Sequence, residues 1–345
     1  VQKIVRAVNK SAGRILYQFT EEEIDFICRY ATEKVEGMGK PEISIQDMHN
    51  VVEGALEKVN PAVAKSYRDY RNYKHDFIHM MDEVYTKSQS IRYIGDKSNA
   101  NTDSALVATK RSLIFNELNK ELYRKFFMNR NELQACKDGY IYIHDQSARL
   151  DTMNCCLFDV ANVLRGGFEM GNVWYNEPKT LDTAFDVMGD IILSTAAQQY
   201  GGFTVPEVDK ILSPYAQKSY NKYYEEFLKY SDPSWEGREE KGRVYAWEKV
   251  CRDCDQGWQG IEYKLNTVGS SRGDYPFVTV TLGLGMGRFE KMASISLLEV
   301  HKDGQGKKDH KKPVLFPKIV FLYDEELHGP GKEGEDVFEA GISCS

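Results

Sequence analysis

No stretch of this 345-residue chain approaches the run of about 20 apolar residues that a membrane-crossing helix needs. Its first residues, Val1-Gln2-Lys3-Ile4, carry no apolar h-region and no small-residue cleavage site, so nothing argues for export and the cytoplasm is the expected compartment. A disulfide framework is lacking too. Seven cysteines is an odd count without regular spacing, which fits reduced thiols in a reducing compartment. Nor is there the basic surplus that binding a nucleic-acid polymer requires. The 45 Lys and Arg are outnumbered by 52 Asp and Glu, a net charge of −7, which leaves phosphorylated small molecules as the charged partners to consider. No internal repeat is visible, and Gly283-Leu284-Gly285-Met286-Gly287 departs from the G-x-G-x-x-G dinucleotide fingerprint. The lone C-x-x-C of Cys251 and Cys254 has no second pair and no histidine at metal spacing, so these two read as helix residues, and no metal site is expected in this chain. Cys28 and Cys136 read as structural.

What is present suffices for a folded core: 41% of residues are hydrophobic and 12% aromatic. The length exceeds what one core usually organises, so one small and one large domain are expected. Helices dominate the beginning. Thr20-Glu21-Glu22-Glu23 is a capping box opening onto Ile24, Phe26, Ile27 and Tyr30, and Ser44 precedes Met48, Val51, Val52, Ala55 and Leu56 at helical spacing. Pro61 stands near the start of a third helix with Val63, Ala64, Tyr67, Tyr70 and Arg71. The pattern weakens from Asp76 to Ser104, and Gly95 to Asn101 is polar and turn-rich, so residues 76–104 are expected to connect the domains.

Beyond that connection, Ala105 to Asn129 reads as a long helix, Gly139 to His144 as a short strand and Met153 to Asp159 as a buried apolar strand. Helices are expected at Leu181 to Tyr200, Pro206 to Tyr230 and Gly242 to Leu265, and strands at Phe277 to Leu284 and Val314 to Leu322. His301 to Lys312 looks like a solvated turn. Strands separated by helices point to an α/β architecture.

The run Ile43-Ser44-Ile45-Gln46-Asp47-Met48-His49, leading to Val63-Ala64-Lys65-Ser66-Tyr67-Arg68-Asp69-Tyr70-Arg71, resembles the later helices of the ATP-cone, a regulatory domain of many ribonucleotide reductases. The resemblance implies ATP as activator and dATP as inhibitor, with Lys3, Ile4 and His49 lining the nucleotide pocket. A lysine supplies a point charge for phosphate, and an imidazole can hydrogen-bond phosphate or base. Without the resemblance, Lys3 and His49 are surface residues of amphipathic helices. The cone's opening hairpin, with its Lys-Arg-x-Gly turn, is not found ahead of Val1.

Further segments resemble the anaerobic (class III), glycyl-radical ribonucleotide reductases. They are Gly139-Tyr140-Ile141-Tyr142-Ile143-His144-Asp145, Met153-Asn154-Cys155-Cys156-Leu157, Leu265-Asn266-Thr267-Val268-Gly269-Ser270-Ser271-Arg272, and Pro313 to Val320 leading to Ala340-Gly341-Ile342-Ser343-Cys344-Ser345. The likeness covers nearly everything from Ala105 onward. It implies a cone over residues 1–75 and the N-terminal part of a ten-stranded α/β barrel over 105–345. It further implies reduction of ribonucleoside triphosphates to deoxyribonucleoside triphosphates by thiyl-radical chemistry.

Two thiol roles follow from that chemistry. A thiyl radical abstracts the 3′-hydrogen of the ribose, and a second thiol donates to the 2′ position as water leaves. By resemblance the radical-bearing cysteine, at the tip of a loop inside the barrel, falls on Cys344, and the donor falls on Cys155. Asn154 would orient the ribose hydroxyls, and His144 would position formate, the reductant many members use. Ser270, Ser271 and Arg272 could cradle substrate phosphates with hydroxyls, backbone N–H groups and a guanidinium. On residue chemistry alone Cys155 and Cys156 are packing residues, and strand alternation lets only one of them face a barrel interior.

The resemblance also implies a glycyl-radical loop and structural zinc in a C-terminal segment, neither of which follows Cys344 in this sequence, so the chain is expected to be part of a longer protein. A radical-SAM activase with an iron–sulfur cluster and a homodimer or higher homo-oligomer are the implied partners. Two other readings compete. Adjacent cysteines also occur in pyruvate formate-lyase-type acyltransferases, and a cone attached to an inert fragment would make a nucleotide-responsive regulatory or assembly protein.

Overall fold

The computed structural model describes residues 2–94, 106–149, 153–267 and 273–345, and the chain divides into two compact units, Val1–Lys87 and Ser88–Ser345.

The first unit is helical: α1 (Gln2–Gly13), α2 (Glu21–Gly37), α3 (Ile45–Val59) and the greater part of α4 (Pro61–Ile94). Its helix starts follow local chemistry. Thr20 Oγ1 accepts from the Glu23 N–H at 3.2 Å while the Glu23 carboxylate accepts from the Thr20 N–H at 2.9 Å, satisfying two donors that a helix start leaves free. Ser44 caps α3 by accepting from the Asp47 N–H at 3.0 Å. Val8, Ala12, Ile27, Val52, Ala55, Leu56, Val63, Ala64 and Tyr67 form the core. Helix α4 continues through the stretch where the sequence pattern fades. No Gly or Pro interrupts residues 76–94, and Met80 and Val84, four residues apart, are buried. The turn-rich Gly95 to Asn101 lies outside the described residues.

The second unit is α/β. After α5 (Val107–Phe127) and α6 (Arg130–Lys137), four strands pair in parallel in the order β1 (Cys156–Leu157), β4 (Phe203–Val205), β5 (Val278–Leu282), β8 (Lys318–Phe321). Parallel neighbours require crossovers, and helices α8 (Leu181–Ala196), α9 (Val208–Tyr230), α10 (Arg238–Thr267) and α11 (Arg288–Asp303) lie in those between β1 and β4, β4 and β5, and β5 and β8. Val278, Val280 and Leu282 of β5 are buried in one core with Phe203, Val205 and residues of these four helices. Trp258, fully buried on α10, donates its indole N–H to the Ala293 carbonyl of α11 at 3.1 Å and so keeps its one polar atom satisfied. The remaining elements are α7 (Val160–Leu164), the hairpins β2 (Phe168–Met170) with β3 (Val173–Tyr175) and β6 (Gln305–Lys307) with β7 (His310–Lys312), α12 (Glu325–His328) and α13 (Glu335–Cys344).

Three sequence expectations are corrected. Gly139 to His144 forms no strand: Tyr140 and Tyr142 are 84% and 89% exposed, and among the described residues the alternating Tyr-Ile pattern has no neighbouring strand to pair with. Met153 to Asp159 is not a buried strand but a bridge at Met153 and the two-residue β1, because among the described residues β1 is the sheet edge and pairs with β4 alone. His301 to Lys312 is the end of α11 followed by the β6–β7 hairpin.

Candidate active site

The edge position of β1 decides what Cys156 and the preceding Cys155 can do. Adjacent strand residues point to opposite faces. Cys156 packs against the helical core, and Cys155, in register with the exposed Leu157, stands exposed on the other face of the sheet. Thr204, Thr279 and Lys318 continue the Leu157 row across that face.

The segment before β4 holds both thiols in place. The Gly202 N–H points at Cys155 Sγ at 3.3 Å, and the Gly201 N–H donates to the Asn154 carbonyl. Gln199, 2% exposed, accepts from the Cys156 thiol at 2.9 Å and donates to the Gly201 carbonyl at 3.2 Å. Burial, and then the neighbouring Cys155, push the Cys156 thiol above the usual range, so Cys156 is a protonated packing group. Gly201 fits only because it lacks a side chain: a Cβ there would come within 2.5 Å of the Asn154 carbonyl oxygen, Asn154 Oδ1 and Cys155 Sγ.

On the other side of Asn154 lies Asp145. Its Oδ2 sits 3.4 Å from Asn154 Nδ2 and 2.7 Å from His144 Nδ1. Asp145 and Tyr200 also line a pocket of about 550 Å³ shared with α5, whose Leu113, Asn116, Glu117, Lys120 and Arg124 present one helical stripe to it. Arg124 is held there by Gln146 at 2.8 Å and by Glu121 at 3.0 Å. Hydroxyls, amides, cations and carboxylates lining one cavity can orient a small polar molecule.

The structure thus brings Asn154 and Cys155 together, with His144 one residue further through Asp145. It does not bring Cys344 to them. Cys344 occupies the last turn of α13, not a loop tip. It packs against the helical core, where burial and the Glu262 carboxylate raise its thiol. The physical reason is local: Val337, Ala340, Gly341 and Cys344 recur at helical spacing and turn one face of α13 inward. Ser270, Ser271 and Arg272 lie outside the described residues.

In the first unit, His49 Nδ1 lies 2.7 Å from the Tyr67 hydroxyl, and burial together with Arg71 and Lys74 lowers its affinity for a proton. Ile4 packs against the core that contains Tyr67, whereas Lys3 is exposed. Among the described residues no group of three or more His, Cys, Asp and Glu is arranged to hold a metal ion, and no helix is long and apolar enough to cross a membrane.

Asp145, Gln199, Gly201 and Gly202 escaped the sequence reading. The available signals were a carboxylate adjoining His144 and a glycine pair just ahead of an apolar strand.

Residues 98–345 match the family model described as anaerobic ribonucleoside-triphosphate reductase, and residues 1–76 match the ATP cone domain. The chain is 30% identical to the anaerobic ribonucleoside-triphosphate reductase of Haemophilus influenzae, an alignment covering 100% of this chain and 48% of that protein. It is 30% identical to that of Escherichia coli K12, covering 94% and 46%, and 35% identical to that of Enterobacteria phage T4, covering 67% and 37%. The anaerobic ribonucleotide reductase of Thermotoga maritima, solved with dATP and CTP, aligns with a TM-score of 0.46 at 12% identity over 78% of this chain and 48% of that one. The chain therefore spans about half the length of the curated relatives it matches. With its family model covering residues 98–345 and an ATP cone ahead of it, this chain belongs to the anaerobic ribonucleoside-triphosphate reductases.

Proposed function

We propose that the full-length protein reduces ribonucleoside triphosphates to deoxyribonucleoside triphosphates, with Cys155 as the thiol that donates to the 2′ position and Asn154 as a ligand of the ribose hydroxyls. The observation that carries this reading is the exposed Cys155 beside Asn154, on the sheet face away from the helical core, with Asn154 hydrogen-bonded to the Asp145 carboxylate. When in place, the family's glycyl radical would supply the thiyl radical that abstracts the ribose 3′-hydrogen. What this chain's own residues do is simpler. The Gly202 N–H fixes the Cys155 sulfur, Asn154 offers an amide to the sugar, and the Asp145-linked His144 presents a ring nitrogen that can hold formate.

The wider reading follows the same family. Residues 1–75 form the cone that binds ATP as activator and dATP as inhibitor, with Lys3, Ile4 and His49 at its nucleotide, residues 76–104 connect it, and residues 105–345 begin the catalytic domain. Formate is the reductant, structural zinc accompanies the radical segment, a radical-SAM activase installs the radical, and the enzyme works in the cytoplasm as a homodimer or larger homo-oligomer. Cys344 is not carried forward as the radical-bearing thiol, because its place in α13 keeps it in the helical layer.

The test is Cys155→Ala in the full-length, anaerobically activated protein. Deoxynucleotide formation should be lost while ATP and dATP binding persist. Retained turnover would remove the site assignment.

A further inference from the structure

Asp145 adopts the left-handed backbone conformation, φ 52° and ψ 35°, which side-chain-bearing residues enter rarely and Asp and Asn most readily. A residue kept in that conformation next to a candidate site invites a functional account, and its side chain supplies one. Its Oδ2 engages two neighbours at once, His144 Nδ1 and Asn154 Nδ2. A carboxylate can only accept hydrogen bonds, so it dictates which end of the Asn154 amide faces it. The NH2 group must turn to Asp145. Oδ1 is thereby turned to the opposite side, toward Gly201 and the Cys155 sulfur. There it is buried and, among the described residues, has no hydrogen-bond donor. The same carboxylate fixes the His144 ring through Nδ1 and leaves Nε2 for a ligand.

We propose that Asp145 is a positioning residue for the thiol site: through one oxygen it locks the Asn154 amide with Oδ1 on the side of the Cys155 sulfur, and it holds the His144 ring by Nδ1 so that Nε2 is left for a ligand. This rests on the reading above that the site takes a ribonucleotide. Asp145 acts through these two neighbours, and it also lines the polar pocket described above.

The competing role is a turn residue with no bearing on the site, and two substitutions separate the roles. Asp145→Asn keeps the size and tolerates the left-handed backbone, but it offers a donor as well as an acceptor, so the Asn154 amide is no longer forced into one orientation. Asp145→Gly suits the backbone better still and removes the carboxylate altogether. A turn role predicts both variants unchanged. Positioning predicts that both lose about tenfold in kcat/KM for a ribonucleoside triphosphate, the size expected for one hydrogen bond in a desolvated site. Kd for the same ribonucleotide on unactivated protein should weaken by a similar factor. Thermal unfolding verifies that each variant folds; if the Gly variant does not, the Asn variant decides. Wild-type kcat/KM and Kd in the folded Asn variant overturn the proposal. A Cys155→Ala control keeps the two readings apart. If that control is inactive and the Asp145 variants are normal, only the positioning role fails; if the control is active, the reductase reading fails with it.

Discussion

The two cysteines that resemblance singles out live in opposite surroundings. Cys155 stands exposed at a sheet edge, held by a backbone N–H and flanked by Asn154. Cys344, with Cys251 and Cys254, belongs to the helical layer, where burial raises all three thiols. The difference teaches that a thiol's chemistry here follows from the face of the sheet it occupies. The edge offers access and donors, and the helical layer offers only desolvation, which keeps a thiol protonated and inert.

Substitution can break that contrast. Cys155→Ala should abolish reduction, whereas Cys344→Ala should retain turnover within a few-fold of wild type under identical activation; loss of activity in the second would restore Cys344 to the chemistry. Gly201→Ala should come next in size. Its new methyl would press on Asn154 and on the Cys155 sulfur, and at least one of these contacts is with the backbone, so something must move. A displacement of about 1 Å at a reacting group costs on the order of 100-fold in rate. The measurement is kcat at saturating substrate, with circular dichroism showing that the fold survives. An unchanged kcat would mean that the Tyr200–Gly202 segment does not set the thiol geometry.

Some of this was legible in the residues and some was not. The capping box at Thr20, the Ser44 cap and the core of α3 follow from local chemistry, and the structure places them where the spacing predicts. Helices α8, α9 and α10 and strands β5 and β8 were equally readable, because long periodic stretches bury a consistent face. The margin around β1 was not. Its geometry comes from Gln199, Gly201 and Gly202, which lie more than forty residues along the chain and carry no local signal of a partner. The Tyr-Ile alternation of residues 140–143 reports side-chain polarity but not the presence of a neighbouring strand. Cys344 teaches a different lesson. The helical spacing of Val337, Ala340, Gly341 and Cys344, with Glu335 and Asp336 in the first turn, was available in the sequence and was outweighed by a motif.

Iodoacetamide at neutral pH sharpens the same contrast without any turnover assay. Cys155 should be carboxamidomethylated in the native protein before Cys344, as peptide mass mapping would show, because exposure and thiolate character together govern alkylation. Equal labelling of the two in folded protein would erase the distinction on which their assignments rest.

The smallest effect is confined to alkaline solution and concerns the buried end of the comparison. Burial pushes Cys254 up to about 12 and Cys251 up to about 11. A thiol whose folded value lies above its unfolded value binds its proton more tightly when folded, so its contribution to stability is complete below about pH 8.5, the unfolded thiol range. That contribution is lost as pH rises through the folded values, between about pH 9 and about pH 12. Cys254→Ala removes the deeper of the two titrations, at a packing cost of roughly 1 kcal/mol at neutral pH for the small void. The variant should therefore melt slightly below wild type at pH 7, and the gap should narrow as pH is raised to 11 and beyond. Melting curves for both proteins across that range decide it. A gap that stays constant would show that the Cys254 thiol ionises as readily inside the helical layer as in the unfolded chain.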